Sequence, residues 1–567
     1  MAESTFGAKS HRSKAAVDLK QRSSDSESMY WRIISGSILI LMTTAVAVAQ
    51  PSDRDSLIEL PRQLEEMREQ MDKLQKRIFE LESEVQSMKA GKSKSVATHA
   101  PAPEGKGVLT RAILSEPDGS VISGEATAFH YKGLTLTPGG FLEGTMLVRS
   151  RNENADIANS YSAVPLNGSS NAKLSEFRGS ARNSELSLLF RGTAGTSALR
   201  GYIETDFLGA APTANYVESS SWTPRLRQLW FELDRPSGWS ITVGQMWSLL
   251  TTNKEGLATL SELRPPGEDG QFVVGFTWAR QRAFRITRNF NNKVWTAFAL
   301  ESPETTYSAA YVPANLMGLN TSQNAATGVN LLPFLANYSN GLSTSLAPDL
   351  LAKAVFEPGW GHFEFKGLGR FFRDRAASTT NTNGRTNITM GYGVGFAAQM
   401  LFAGKKLEFS MEGLLGHGVG RYGSSALPDA TIDPSTGELS PLREARIMAG
   451  LVYHRNSRLD LYAYGGDEYV GRRPFVAPTG GPAGYGSPLV SYTGCMNEVA
   501  LNACSGVNRN VYEATAGYWY RIYRGAFGRI EQGNQVAYIR RNLWSGIGTA
   551  PQGSDIVIYT TLRFYLP

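Results

Sequence analysis

Few residues of this sequence suit a metal site, a disulfide scaffold or a helical membrane domain. The 567 residues include two cysteines and six histidines, and the histidines lack the paired spacing of zinc ligands. Charged residues make up 19% of the chain, below the roughly 25% of soluble proteins, and the net charge of +6 is not concentrated in one basic patch. One stretch approaches the roughly 20 apolar residues of a membrane-spanning helix. We therefore expect no metal, no nucleic-acid partner and no helical transporter.

Motifs of common enzymes are also missing from the sequence. No serine lies in a nucleophile-elbow sequence. Residues 393–398 match the G-x-G-x-x-A dinucleotide pattern, but no helical pattern follows them, so glycine in a crowded strand is the simpler interpretation. We expect no enzyme activity, no catalytic residue and no cofactor, and we keep a barrel lipase as a minor alternative.

The N-terminal residues 1–49 have the pattern of an export signal. Residues 33–49 are apolar, follow a basic segment and end in Ala-Val-Ala, the small-x-small pattern of a signal-peptidase site. The mature chain is expected to begin at Gln50. The 28 residues before Met29 are long for a signal peptide, so we expect Met29 to be the true initiator. A single-pass membrane anchor that uses the same stretch is the alternative.

Residues 50–89 are predicted to form a short coiled coil in the periplasm. Apolar residues alternate three and four positions apart over five heptads. They are Leu57, Leu60, Leu64, Met67, Met71, Leu74, Ile78, Leu81, Val85 and Met88. The core residues alone favour two strands, whereas the segment 77–82 resembles an Arg-h-x-x-h-Glu trimerisation pattern, so we favour three. A lone amphipathic helix remains the alternative, and residues 90–137 are interpreted as a linker and connector.

Residues 138–567 are predicted to form a barrel. Segments of roughly ten residues alternate apolar and polar side chains, as in 199–207, 406–412 and 556–565. Short turns and long polar connections alternate strictly between these segments, which is typical of an antiparallel barrel with both termini in the periplasm. The sequence therefore predicts an all-β transmembrane barrel of about 16 antiparallel strands, preceded by a short α-helical coiled coil.

Four segments of the chain resemble a known family. TPGGFLEGTMLVRSRNENADI, RGYIETDFLG, TPRLRQLWFEL and ITVGQMWSLLT are similar to segments of the DcaP-like outer-membrane porins. The resemblance implies a homotrimer with an N-terminal periplasmic coiled coil and sixteen-stranded barrels in the outer membrane. It also implies passive diffusion of small, mostly anionic solutes such as dicarboxylates. The competing hypothesis is a structural or adhesive outer-membrane protein whose coil tethers the envelope, with peptidoglycan as its partner.

Charged residues on the polar side of the predicted strands are the candidate pore lining. They are Arg200, Glu204, Asp206, Arg285, Lys366, Arg370, Lys406, Arg529 and Arg563. These charges would attract solutes unless they pair with one another across strands, which is the competing interpretation. Arg225 and Arg227 have the parity of apolar neighbours, so a bulge or the barrel rim must accommodate them.

Two long connections carry further candidates. The connection 248–269 is expected either to fold into the lumen, where Lys254, Glu255, Glu262 and Arg264 would meet the solute, or to extend outward. Cys495 and Cys504 lie in the connection 467–510, and export permits the disulfide that we predict there, with two free thiols as the alternative.

Overall fold

The structure, a computed structural model, describes residues 128–209, 221–309, 316–317, 343–376, 384–498 and 504–567. The predicted signal peptide 1–49, the coiled coil 50–89 and the linker up to residue 127 lie outside the described residues. In the part that is described, no helix is both long enough and apolar enough to cross a bilayer.

Strands account for almost all regular structure in the described residues. The strands are β1 (Phe129–Tyr131), β2 (Leu134–Arg149), β3 (Glu176–Ser180), β4 (Glu185–Ala194), β5 (Ser197–Asp206), β6 (Arg225–Asp234), β7 (Trp239–Trp247), β8 (Arg280–Phe290), β9 (Val294–Glu301), β10 (Leu316–Met317), β11 (Asp349–Phe356), β12 (Gly361–Ala376), β13 (Arg385–Phe402), β14 (Leu407–His417), β15 (Ala430–Ile432), β16 (Leu439–Pro441), β17 (Arg443–Asn456), β18 (Leu459–Val470), β19 (Arg473–Val476), β20 (Pro482–Tyr485), β21 (Asn508–Gly525), β22 (Gly528–Leu543) and β23 (Gln552–Tyr565). The short 3-10 helices are Tyr161–Ala163, Ser170–Lys173, Gly420–Tyr422 and Thr493–Cys495.

These strands close into an antiparallel barrel with sixteen wall positions. Each wall strand pairs with the next along the chain, and β2 pairs with β23, where Glu143 lies opposite Arg563. β3 and β4 pair with successive parts of β2, so together they fill one of the sixteen wall positions. β1 and β10 extend the sheet beside β2 and β12, and β15–β16 and β19–β20 form separate two-stranded sheets. The predicted sixteen-stranded barrel is therefore confirmed.

Short and long connections alternate around the barrel as the sequence predicts. The chain turns within a few residues after β4, β6, β8, β11, β13, β17 and β21, and it makes long excursions between these turns. Two boundaries differ from the prediction. The first wall strand begins at Leu134, so Pro138 lies inside it. The third long connection runs over 248–279 rather than 248–269, because the apolar run 272–278 packs inside the barrel instead of forming wall.

Apolar side chains cover the outside of the barrel. On β2, Leu142 and Met146 are 49% and 61% exposed, whereas the intervening Glu143 is 4% exposed. The same alternation recurs around the wall, where the exposed apolar residues include Leu229, Phe231, Phe284, Phe298, Leu350, Phe365, Met390, Val394, Leu415, Ile447, Val536, Ile556 and Ile558. This arrangement inverts that of a water-soluble protein and suits hydrocarbon outside the wall.

A disulfide links Cys495 and Cys504 in the connection between β20 and β21, as the sequence predicts. Cys495 is buried in an apolar cluster with Leu166, Tyr492 and Leu543. The covalent bond closes a short loop, which restrains this long connection beside the barrel end.

Candidate functional site

The connection 248–279 folds into the barrel and crosses its interior. The backbone N–H of Asn253 donates to Glu364 Oε1 on β12 at 2.8 Å. Further along, the N–H groups of Val274 and Gly275 donate to Glu513 Oε2 on β21 and to Glu468 Oε1 on β18, both at 2.9 Å. β18 and β21 stand half-way round the barrel from β7 and β8, where the connection begins and ends. The inward alternative of the sequence analysis therefore holds, and the outward excursion does not.

An aromatic cluster fixes the second half of this inward connection. Phe272 and Phe276 lie 5.1 Å apart between ring centroids, and both pack beside Trp247. Trp519 of β21 belongs to the same cluster, and its indole N–H donates to the carbonyl of Pro266 at 2.7 Å. These contacts hold the connection across the lumen. The aromatic run is visible in the sequence, but its period resembles a wall strand, so sequence reasoning missed it.

The first half of the connection forms a small hairpin over residues 252–263. Asn253 and Glu262 face one another in an antiparallel bridge. The N–H of Lys254 donates to the carbonyl of Ser261 at 2.6 Å, and that of Leu263 donates to the carbonyl of Thr252 at 2.7 Å. At the tip, the Gly256 N–H donates to Glu357 Oε1 at 2.6 Å. The hairpin is therefore held on both flanks within the barrel interior.

A cavity of about 850 Å³ lies between the inward connection and the short-turn end of the barrel. Its basic lining residues are Arg191, Arg227, Lys254, Arg264, Lys405, Arg521, Arg524, Arg529 and Arg563. Its acidic lining residues are Glu185, Glu204, Glu255, Glu268, Asp269, Glu408, Asp460 and Glu531. Basic and acidic groups therefore line the same cavity, with a small excess of basic groups.

The predicted site residues divide into two groups in the structure. Glu204, Arg529 and Arg563 of the wall line the cavity, together with Lys254, Glu255 and Arg264 of the inward connection. Lys406 is an exception, because it lies in the exposed turn between β13 and β14 instead of on the wall. The predicted inward set also lacks four arginines of the cavity, which are Arg191, Arg227, Arg521 and Arg524. Arg191 shares the parity of the polar residues Glu185 and Ser187 on β4 and lies directly opposite Arg200, which was the signal that could have identified it.

The remaining candidates are buried in contacts with other protein groups. They are Arg200, Asp206, Glu262, Arg285, Lys366 and Arg370. Arg200 pairs with Glu232 and lies 2.9 Å from Asp234. The Lys366 ammonium is 3.1 Å from Glu364 and donates to Thr252 Oγ1 at 2.7 Å, so it holds the hairpin rather than a solute. For Arg200, Asp206, Lys366 and Arg370, the competing interpretation of paired charges is the better description. Arg285 instead donates to the backbone carbonyl of Trp247 at 2.7 Å.

Arg370 differs most from the role expected of it. It is 1% exposed, and its guanidinium lies 3.2 Å from Asp349 and 2.7 Å from Asp429. It also donates to the backbone carbonyls of Gly418 and Glu304. A guanidinium with all these partners joins the barrel wall to two long connections and is not available to a passing ion. Its parity was predicted correctly, but its place in the pore lining was wrong.

Replacing Arg370 by alanine should therefore lower stability rather than alter ion selectivity. The change leaves Asp429 and Asp349 buried with less compensating charge, and losing one partner of a buried pair costs about 3 to 5 kcal/mol. The free energy of unfolding in urea, measured for the refolded protein in detergent, checks this. Arg373→Ala on the outer face of the same strand is the matched control. An unchanged unfolding free energy in R370A would contradict the assignment.

A β-bulge determines the direction of Arg227. The pairing of β5 with β6 shifts between Glu204↔Gln228 and Thr205↔Leu226, which leaves Arg227 as the extra residue. Its buried guanidinium contacts Glu204 at 2.5 Å, Asp206 at 2.7 Å and Glu185 at 2.9 Å. The bulge turns inward a residue whose simple parity places it outside. Of the two alternatives in the sequence analysis, the bulge is correct.

Comparison with known proteins finds solved structures that are similar to this barrel. No family model matches the chain, and no curated protein matches it. The outer membrane channel DcaP of Acinetobacter baumannii matches with a TM-score of 0.53 and 14% identity, over 78% of this chain and 100% of that chain. An anion-selective porin from Comamonas acidovorans matches with a TM-score of 0.41 and 9% identity, over 76% and 100%. Salmonella typhi OmpF in complex with daunomycin matches with a TM-score of 0.40 and 9% identity, over 77% and 100%. The chain therefore shares its barrel fold with the outer-membrane channel DcaP, as the sequence resemblance predicts.

Proposed function

We propose that the chain is an outer-membrane porin that lets small hydrophilic solutes diffuse through a water-filled lumen. One observation carries the proposal: an apolar outer wall encloses a charged cavity of about 850 Å³, partly covered by an inward connection. Barrels of sixteen strands are wide enough to leave an aqueous channel. Planar-bilayer recording tests it, because a porin gives discrete conductance steps, whereas a tethering protein need not.

The solutes that we propose are small anions, with dicarboxylates as the representative class. The small basic excess of the cavity supports this proposal, and so does the family resemblance of the sequence. The test is the reversal potential in asymmetric KCl, where chloride should permeate better than potassium. A preference for potassium would contradict the anion proposal and leave the porin proposal standing.

The assembly that we propose is a homotrimer. The trimerisation pattern predicted within residues 50–89 and the resemblance to a trimeric family support this state. Light scattering of the detergent-solubilised protein should give three chains per particle, and deletion of residues 50–89 shows whether the coil contributes to that state.

Selectivity should depend on pH, because Lys254 and Glu268 carry shifted pKa values. Burial lowers the pKa of Lys254 to about 8 and raises the pKa of Glu268 to about 7. Raising the pH from about 6 to about 9 removes a positive charge at Lys254 and adds a negative charge at Glu268. Both changes favour cations, so the reversal potential should move towards potassium as the pH rises.

Two variants separate these contributions. In Glu268→Gln the change near the Glu268 pKa should disappear, and in Lys254→Arg the change near the Lys254 pKa should disappear. A reversal potential that stays constant over this pH range in the unmodified protein would show that neither group faces the ion path.

A further inference from the structure

One arginine of the cavity has no acidic partner in the part of the chain that the structure describes. Arg191 lies on the inward face of β4 near the short-turn end of the barrel, and it lines the cavity. Its Nε and Nη2 atoms are shielded from solvent, and among the described residues neither atom has a hydrogen-bond partner. The residue directly opposite is Arg200, which pairs with Glu232 and Asp234. The charge of Arg191 is therefore left uncompensated.

The two unpartnered nitrogens form one edge of the Arg191 guanidinium. On this edge the N–H groups are parallel, and their spacing matches the two oxygens of a carboxylate. A buried donor without an acceptor is destabilising, so a ligand that supplies both acceptors lowers the free energy of this site. The missing partner of Arg191 is thus a planar oxyanion.

A hydroxyl group on the neighbouring strand adds a further donor. On β2, Thr135 lies opposite Arg191, and Thr137 lies opposite Leu189. Thr137 is 7% exposed and lines the cavity, and its Oγ1 also has no hydrogen-bond partner within the described residues. Diagonal neighbours on paired strands are within reach of a long side chain. The Thr137 hydroxyl and the Arg191 edge can therefore bind the same oxyanion.

Apolar surface adjoins these two polar groups. Leu189 occupies the next inward position of β4, about 7 Å along the strand from Arg191. Leu260 of the hairpin packs against the apolar cluster that contains Leu189 and Tyr202, and both leucines line the cavity. A second charged group of the solute would lose water against this surface without gaining a partner, whereas a carbon chain would gain contacts.

The backbone of Leu260 supports a role for its side chain. Leu260 has a φ of 69°, in the left-handed region that is unfavourable for a bulky residue. Residues held in this region cluster at ligand sites, where the surrounding structure maintains the strain. Glycine or asparagine would adopt the same φ more easily but would supply no apolar surface. The leucine is therefore explained by what its side chain contacts.

We propose that the cavity binds a monocarboxylate with an apolar body at this place. Arg191 and Thr137 donate to its carboxylate group. Leu189 and Leu260 contact its carbon chain. Such solutes are a class distinct from dicarboxylates, and the inference rests on the proposed function, because it requires the cavity to lie on the path of the solute.

Block of the chloride current in planar bilayers tests the site, with hexanoate and acetate as the probes. In the unmodified protein, hexanoate should reach half-block at a concentration at least about tenfold lower than acetate, because its longer chain buries more apolar surface. Arg191→Lys keeps the charge but loses the paired donors, so it should weaken both probes about fivefold. Leu260→Asn suits the left-handed backbone and removes the apolar contact, so it should weaken hexanoate alone.

The matched control is Arg235→Lys. Arg235 lies in the exposed turn between β6 and β7, at the same end of the barrel but outside the cavity lining. This change should leave both half-blocking concentrations unchanged. Discrete chloride steps in each variant show that the barrel is folded.

Hexanoate that blocks no better than acetate would overturn the proposal, and so would an Arg191→Lys variant that is blocked like the unmodified protein. Inorganic phosphate that blocks as well as hexanoate would also overturn it, because the site would then select charge alone. A protein that gives no chloride steps contradicts the porin proposal instead. Calorimetry of hexanoate with the full-length protein and the same variants in detergent would then decide whether the site exists.

Discussion

Shortening the hairpin 252–263 inside the barrel should raise the single-channel conductance several-fold. Its tip lies in the lumen, where Thr259 donates to Glu232 on β6 and Gly256 donates to Glu357 beyond β11. Lys254 and Ser261 are already paired, so residues 255–260 can be replaced by Asn-Gly, a two-residue turn that closes such a pair. Removing the tip widens the narrow part of the path and leaves the wall intact. Planar-bilayer recording in KCl measures the effect.

The matched control shortens a turn outside the lumen. Replacing residues 478–481 between β19 and β20 by a two-residue turn removes exposed residues and should leave the conductance unchanged. The heat stability of the turn variant should match that of the unmodified barrel, whereas the hairpin variant loses the hydrogen bonds of Gly256 to Glu357 and of Thr259 to Glu232 and should unfold at a somewhat lower temperature. Equal conductance of the hairpin variant and the unmodified protein would show that ions pass elsewhere and that the hairpin does not narrow their path.

Sequence reasoning predicts the barrel because its signals are local. Alternation of apolar and charged side chains marks each wall strand, and turn residues such as those at 235–238 and 357–360 mark the short connections. The parity of β5 correctly places Arg200, Glu204 and Asp206 on one side. These features depend only on neighbours along the chain and on the two-residue period of a strand.

The partners of inward residues depend on contacts between segments that lie far apart in the sequence. Arg370 has the same parity as a pore-lining residue, but Asp429 reaches it from a connection 59 positions later in the chain. Arg227 faces inward only because a bulge shifts the register of β6. Parity therefore identifies the side of the wall and leaves open whether a charge meets water, a loop or an opposite charge.

The inward connection shows that the sequence pattern also fails to distinguish a wall strand from a segment that lies inside the barrel. Residues 272–278 are apolar and aromatic like a wall strand, yet they pack against Trp247 and Trp519 within the lumen. A wall strand and the inward connection use the same kinds of side chain, because both bury apolar surface. What separates them is the set of wall carboxylates, including Glu468 and Glu513, that accept the backbone N–H groups of this segment. These acceptors are far away in sequence.

Reversing two charges of the inward connection, in the double variant Lys254→Glu, Arg264→Glu, should turn the channel from the proposed anion preference to cation preference. Both residues line the cavity, and Arg264 is only loosely paired, with Nη1 3.6 Å from Glu185. Each reversal replaces a positive charge by a negative one in a confined space with a low-dielectric wall, where charge acts on ions more strongly than in bulk water. The small basic excess of the cavity then becomes an acidic excess. The reversal potential in asymmetric KCl should change sign.

Lys406→Glu is the control for this reversal, because Lys406 has the charge of Lys254 but lies in the exposed turn outside the cavity lining. Lys406→Glu should alter the reversal potential far less than Lys254→Glu or Arg264→Glu alone. High salt should reduce the effect of the double variant, since counter-ions screen charges that face water. If Lys406→Glu and Lys254→Glu shift the reversal potential equally, selectivity arises from the overall electrostatic field at the barrel mouth. The hairpin would then not determine the ion preference.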